Sequence, residues 1–375
     1  MMNISKRLER LKIKLIELKK EMPLEINEVI DYFLKHMTLN YEKVLWILSL
    51  NEENLKEKIY KVADIVNKTL NTDIVTLKGV IEFSNYCKKS CYYCGIRVQN
   101  DIIKRYRIPI DEIFEIAKNG VESGLTTIIL QSGEDDFYSD DDLEKLIFRI
   151  HHELKTAVSI SIGERSKEAY KRFRNAGASK VLLKHEAINR KIFEDVHPDK
   201  DYDLRIELLD YLVELGYITG SGNIIGLPGQ TLEDIAKDII FMKEHNIKMI
   251  GMGPFISTHN TPLENLENGS AELTLNAYAA TRLTIPFAQM PATTALGTID
   301  RNYQFKALNC GCNVIMVNLT PDEYRENYNI YDEKIKVDLL GTAQRILDMG
   351  LKIPPYTLRN LFIKEAQYGF SNERL

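Results

Sequence analysis

Apolar positions along this 375-residue chain change their period near residue 74. Before that point they recur at helical spacing. From Ile4 to Met22, leucines at 8, 11, 15 and 18 form one stripe, and Pro23 closes the segment. Helical patterns follow at 26–35, 41–50 and 54–70, which together predict an N-terminal helical extension over residues 1–73. Beyond Ile74, short apolar runs alternate with longer amphipathic segments. Eight runs read as strands: Leu77–Phe83, Thr126–Gln131, Val158–Ile162, Lys180–Leu183, Tyr217–Ile225, Met249–Phe255, Met290–Ala295 and Asn313–Val317. The intervening segments 110–123, 141–154, 167–176, 202–215, 232–244 and 273–285 read as helices. Such alternation demands parallel strands joined by crossover helices, and eight units are enough to close a ring. The predicted fold is therefore α/β, a (βα)8 TIM-type barrel over residues 74–331, followed by a helical tail over 332–375 that packs on it. An open doubly wound sheet is the alternative, but Gly220, Gly222 and Gly226 give the wrong glycine spacing for a dinucleotide fingerprint.

Composition narrows this picture by exclusion. The first helix carries seven basic residues against three acidic ones, a balance that would suit a membrane surface. A solvated face over a docked leucine stripe is the simpler expectation. A formal charge of -5 lacks the basic footprint of a nucleic-acid partner. No signal peptide and no apolar run long enough to span a bilayer is evident, and five unevenly spaced cysteines do not make a disulfide framework. A reducing cytoplasm is the expected compartment.

Three of the five cysteines, Cys87, Cys91 and Cys94, stand at C-x3-C-x2-C spacing directly after the first strand. Three thiolates hold a 4Fe-4S cube by three of its irons and leave the fourth open to another ligand. Zinc is the rival, but a closed zinc site needs a fourth Cys or His, and none lies close in sequence. With the aromatic Tyr93 before Cys94, the spacing matches the signature of radical S-adenosylmethionine (SAM) enzymes. A barrel of this kind works at the C-terminal ends of its strands. Polar groups collect there: Gln131-Ser-Gly-Glu-Asp135, Ser161-Ile-Gly-Glu164, Lys184-His-Glu186, Thr258-His259 and Thr293-Thr294. Arg205 and Glu186 are the candidate counter-charges for an amino acid bound to the open iron. Gly222 and Gly226 would admit a flat adenine close to the backbone.

Several motifs in one order, Ile81-Glu-Phe-Ser-Asn85, Gln131-Ser-Gly-Glu-Asp135, Gly226-Leu-Pro-Gly-Gln-Thr231, Gly253-Pro-Phe-Ile256, Pro291-Ala-Thr-Thr-Ala295 and Asn313-Val-Ile-Met316, resemble the HydE family. These are radical SAM maturases of FeFe-hydrogenase, grouped with biotin synthase and PylB. The resemblance implies one 4Fe-4S cluster on Cys87, Cys91 and Cys94, and SAM contacted by Tyr93, Ser159, Ser161, Glu186 and Arg205. It implies a substrate cavity at Gln131, Lys180, Lys184, Met249, Thr293, Thr294, Met316 and Tyr328. It further implies reductive cleavage of SAM to a 5'-deoxyadenosyl radical during assembly of the hydrogenase di-iron site, on a small iron-cysteine organometallic substrate. The implied partners are HydG, HydF and a reductase or ferredoxin. Two departures stand out. Lys180 and Lys184 occupy positions often held by arginine, and lysine lacks the planar bidentate grip. No cysteine follows Cys312, so a second C-terminal cluster is excluded. Cys310 and Cys312 would share one face of a strand, where they read as core thiols rather than ligands. A PylB-like mutase acting on a free amino acid and a non-catalytic iron-sulfur carrier are the alternative functions.

Overall fold

The computed structural model describes residues 3–368, so residues 1, 2 and 369–375 of the two expected terminal extensions lie outside it. Nine strands carry the barrel: β1 (Thr76–Ser84), β2 (Thr127–Ser132), β3 (Ala157–Ser161), β4 (Ala178–Leu182), β5 (Ile218–Ser221), β6 (Ile224–Ile225), β7 (Met249–Ile250), β8 (Gly253–Pro254) and β9 (Val314–Asn318). Seven of them form one parallel sheet in the order β7-β5-β4-β3-β2-β1-β9, and β6 pairs with β8 above it. Helices Ile110–Glu122, Asp140–Glu153, Lys167–Asn175, Tyr202–Glu214, Leu232–Glu244 and Ala271–Thr284 cross between strands, each close to its expected position.

Two expected strands are broken in the middle, at the same level. Tyr217–Ile225 divides into β5 and β6, and Met249–Phe255 into β7 and β8. At the break a Cβ on Gly222 would stand 2.0 Å from the carbonyl oxygen of Gly251, so the two chains bend together only because glycine is there. A second departure concerns Met290–Ala295, which forms no ladder. Pro291 has no amide to donate, and Thr294 already begins the helix Thr294–Ile299. The ring is nonetheless carried across this gap by isolated parallel bridges, Met249 to Gln289 and Pro291 to Val314. Backbone bonds from Ile250 to Gln289 (2.8 Å) and from Ala292 to Val314 (2.9 Å) support them.

The leucine stripe of the first helix is docked: Leu11, Leu15 and Leu18 are buried. Helix Glu53–Leu70 then ties the extension to the barrel wall. Tyr60 bonds Asn276 (2.5 Å), Asn67 bonds the Cys312 carbonyl (3.3 Å), and buried Lys56 pairs with Glu272 (2.6 Å). One hydrophobic core runs without interruption from this extension through the barrel. Helices Leu339–Asp348 and Pro355–Tyr368 follow the barrel. Thr357 donates to the Gly124 carbonyl (2.6 Å) and Asn360 to that of Glu122 (3.0 Å). Among the described residues, no helix is long and apolar enough to cross a membrane.

Candidate radical SAM site

The C-terminal ends of the strands open into a cavity of about 400 Å³. Cys87, Cys91 and Cys94 all line it, carried by the loop that leaves β1. Cys87 Sγ accepts from the amides of Glu134 (3.4 Å) and Lys89 (3.5 Å), and donors aimed at sulfur favour thiolate over thiol. In the free thiols the opposite pressure dominates: burial raises all three, Cys91 to about 11. A bound metal is what would reverse that. Three thiols on one cavity suit a 4Fe-4S cube, which takes three protein ligands and leaves its fourth iron open to the cavity. The loop is packed against the next strand end without slack, since a Cβ on Gly133 would lie 2.2 Å from the Tyr86 oxygen.

Tyr93, Ser159, Ser161, Glu186 and Arg205 line the same cavity. Arg205, from the helix Tyr202–Glu214, is buried at 3% exposure and held by Glu164, whose Oε1 lies 2.8 Å from Nε and 2.6 Å from Nη2. Burial pulls the guanidinium pKa down, but the charge of Glu164 more than compensates and raises it. Glu186 pairs with Lys184 (2.7 Å) and has a left-handed backbone, φ 61°. That conformation costs about 1–3 kcal/mol in a residue with a Cβ and is typical of functional sites. Its backbone bonds to Gly222 and Ile224 (both 3.0 Å) hold it in place. Cations and carboxylates thus alternate around the cluster loop, which fits SAM, a ligand with both a carboxylate and an ammonium group.

Seven of the eight expected substrate-cavity residues line the cavity: Gln131, Lys184, Met249, Thr293, Thr294, Met316 and Tyr328. Lys180 does not. Its amine turns toward the foot of β2 and donates to Thr127 Oγ1 (3.0 Å). Thr293 and Thr294 reach the cavity from a helix N-terminus rather than a strand end, and Thr293 Oγ1 lies 3.1 Å from the Tyr278 hydroxyl. His185, from the polar end of β4, points away and is buried between Ser221 Oγ (2.8 Å) and Asp238 (3.2 Å). His259 is exposed and paired with Asp332. Cys310 and Cys312 are not on a shared strand face: Cys310 ends a 3-10 turn, Gly311 follows at φ 107°, and Cys312 precedes β9. Both are buried outside the cavity lining.

Sequence reasoning missed several cavity groups. Lys78, on β1, bonds Gln289 Oε1 (2.5 Å), and burial together with the charge of Lys180 lowers its pKa to about 7. A lysine inside an apolar strand was the available signal. Glu82, also on β1, pairs with Lys334 from the segment after the barrel and accepts from Asn318 (2.9 Å). Lys200 donates to Glu134 (2.9 Å) beside the cluster loop. Neither pair could be found by spacing, because the partners come from distant parts of the chain.

Residues 81–242 match the Radical SAM superfamily. The chain is 43% identical over 296 residues to the [FeFe] hydrogenase maturase subunit HydE of Thermotoga maritima, covering 79% of this chain and 85% of that protein. It is 29% identical to the 3-methylornithine synthase of Methanosarcina acetivorans, over 82% of this chain and 89% of that one. Among solved structures, methylornithine synthase PylB superposes with a TM-score of 0.79 at 24% identity, over 88% of this chain and 98% of that one. The hydrogenase maturase HydG does so at 0.76 and 20% identity, over 96% and 84%. These two likenesses speak to the fold.

Proposed function

The chain belongs to the HydE family of radical SAM enzymes, and from that premise we propose that it acts in assembly of the FeFe-hydrogenase di-iron site, with a small iron-bound cysteine species as substrate. The observation that carries this reading is the single cavity shared by the cysteine loop, Arg205, Glu186 and the Thr293-Thr294 helix start. Family membership makes the cofactors a 4Fe-4S cluster and SAM, which when bound supply an electron and, from it, the 5'-deoxyadenosyl radical.

The chain supplies position, counter-charge and shelter. Cys87, Cys91 and Cys94 would hold the cluster. Arg205, turned into the cavity on its Glu164 clamp, would take the SAM carboxylate, and Glu186 its ammonium group. Ser159 and Ser161, successive inward positions of β3, would offer hydroxyls to the nucleoside, beside the ring of Tyr93. The substrate would lie deeper, among Gln131, Lys184, Met249, Thr293, Thr294, Met316 and Tyr328. Enclosure by Met249, Met316 and Tyr328 would keep water and oxygen from the radical. HydG as the source of substrate, HydF as recipient of product and a ferredoxin or reductase as electron donor complete the proposal. Residues 1–73 would act as a brace, 74–331 as the catalytic barrel and 332–375 as a tail closing its side.

The likeness to 3-methylornithine synthase supports a second reading, rearrangement of a free amino acid. Dithionite-driven cleavage of SAM separates the two. The reconstituted chain should form 5'-deoxyadenosine and respond to an iron-cysteine complex but not to L-lysine. Conversion of L-lysine to 3-methylornithine would establish the second reading.

A further inference from the structure

Tyr93 sits between two of the cluster cysteines, yet its hydroxyl is turned away from the cavity. It lies 2.8 Å from His197 Nε2, with the two rings edge to face at 5.3 Å. His197 is 1% exposed, and its Nδ1 lies 2.8 Å from the carbonyl oxygen of Phe193. A carbonyl can only accept, so Nδ1 carries the proton. In the neutral ring Nε2 is then an acceptor, and the tyrosine hydroxyl is the donor. Burial, with Lys200 and Arg205 nearby, holds the imidazole pKa well below the ordinary histidine range and keeps the ring neutral.

His197 follows the short helix Arg190–Val196, whose last carbonyl accepts from the Tyr92 amide (2.9 Å). Ile192 and Val196 of that helix pack with Phe255 in a small apolar cluster against which Tyr93 rests. The tyrosine is therefore fixed at its hydroxyl by His197, at its neighbour's amide by Val196 and along its ring by packing. A ring held at both ends cannot swing out of the cavity wall.

Resting on the radical SAM reading above, we infer that His197 is a positioning residue, which locks the Tyr93 ring as a rigid wall for the SAM nucleoside. It touches neither SAM nor the cluster. Its contribution is the fixed orientation of a side chain that touches SAM, the usual work of supporting hydrogen bonds behind a binding site. The hydrogen bond also leaves Tyr93 no free donor, so its face and not its hydroxyl is what SAM meets.

Equilibrium dialysis of SAM against the anaerobically reconstituted full chain tests this, alongside iron and sulfide content. His197→Phe keeps the ring packing and removes the acceptor; Tyr93→Phe removes the donor. Each should weaken SAM binding roughly five- to tenfold, with cluster content unchanged, because each removes the same buried hydrogen bond. The double variant should be no weaker than either single one. His197→Gln, whose Oε1 can reach the position of Nε2, should restore most of the affinity. Wild-type affinity in His197→Phe overturns the inference, as do additive losses in the double variant. Iron loss in His197→Phe but not in Tyr93→Phe assigns the histidine to folding of the loop instead and also overturns it. Absence of SAM binding by the cluster-loaded wild type would instead defeat the radical SAM reading itself.

Discussion

Glu164 Oε1 sits against one edge of Arg205, accepting from Nε at 2.8 Å and lying 2.6 Å from Nη2, so the guanidinium that faces the cluster loop is oriented before any ligand arrives. A second hydrogen bond, from Nη1 to the Lys184 carbonyl, fixes another arm. Pre-orientation of this kind lowers the entropy lost on binding an anion. It has a cost in dependence: Arg205 is buried on the assumption that the half-buried Glu164 beside it is charged.

Removing one of them should therefore be expensive. Glu164→Gln leaves a buried guanidinium without its carboxylate and is expected to lower stability by about 3 kcal/mol. Anaerobic urea denaturation measures it as a fall in midpoint at constant slope. An unchanged midpoint would mean that the pair contributes nothing to the fold.

Arg205→Ala addresses the ligand. It should keep the cluster's absorbance and lose the change that SAM causes in the EPR spectrum of the reduced cluster. If SAM still perturbs that spectrum as in wild type, Arg205 serves structure alone.

The iron count follows from the cysteines. One reconstituted cluster, about four irons per chain, is expected, and Cys91→Ala should abolish it. About eight irons in wild type would contradict the assignment.

Lys78 gives a pH signature. Its pKa is lowered from an ordinary value of 10.5 to about 7 by burial and by Lys180. Between pH 7 and 10.5 the unfolded chain thus binds the proton that the folded chain has released, and stability rises with pH. Below pH 7 both states are protonated and the full penalty, on the order of 5 kcal/mol, is present. Lys78→Met, which cannot titrate, should be more stable than wild type at pH 7, and the gap should close toward pH 10.5. A constant gap would show that Lys78 is not buried as a strained cation.

The threonines and the remaining cysteines make opposite predictions. Thr293→Val/Thr294→Val should still cleave SAM but fail in hydrogenase maturation, since valine keeps the shape and removes the hydroxyls. Cys310→Ala/Cys312→Ala should pass both assays and lose about 1–2 kcal/mol to vacated thiol volume. Normal SAM cleavage without maturation in the cysteine variant would place those thiols on the substrate.

How far the sequence revealed these features depended on whether the deciding contact was local. The C-x3-C-x2-C spacing is set within eight residues, and the loop lies where it was expected. The alternation of strand and helix is likewise local, and all six crossover helices were legible within two residues. What failed were positions decided by distant chain. The run at Met290–Ala295 is the exception, a local miss: Pro291 inside it was the available signal that it would be left with bridges alone. Lys180 stood on an inward-looking strand, but only the presence of Thr127 below it decided which way its amine turned. The pairs Glu82 with Lys334 and Glu134 with Lys200 join residues 252 and 66 positions apart, beyond any spacing rule.

The proposed function stands or falls on maturation of apo FeFe-hydrogenase in a defined anaerobic mixture of HydG, HydF, SAM, reductant and this chain. Hydrogen evolution should require this chain and be lost with Cys91→Ala. Hydrogenase activity that is the same without the chain, or no activity from chain that cleaves SAM in the same mixture, would contradict it.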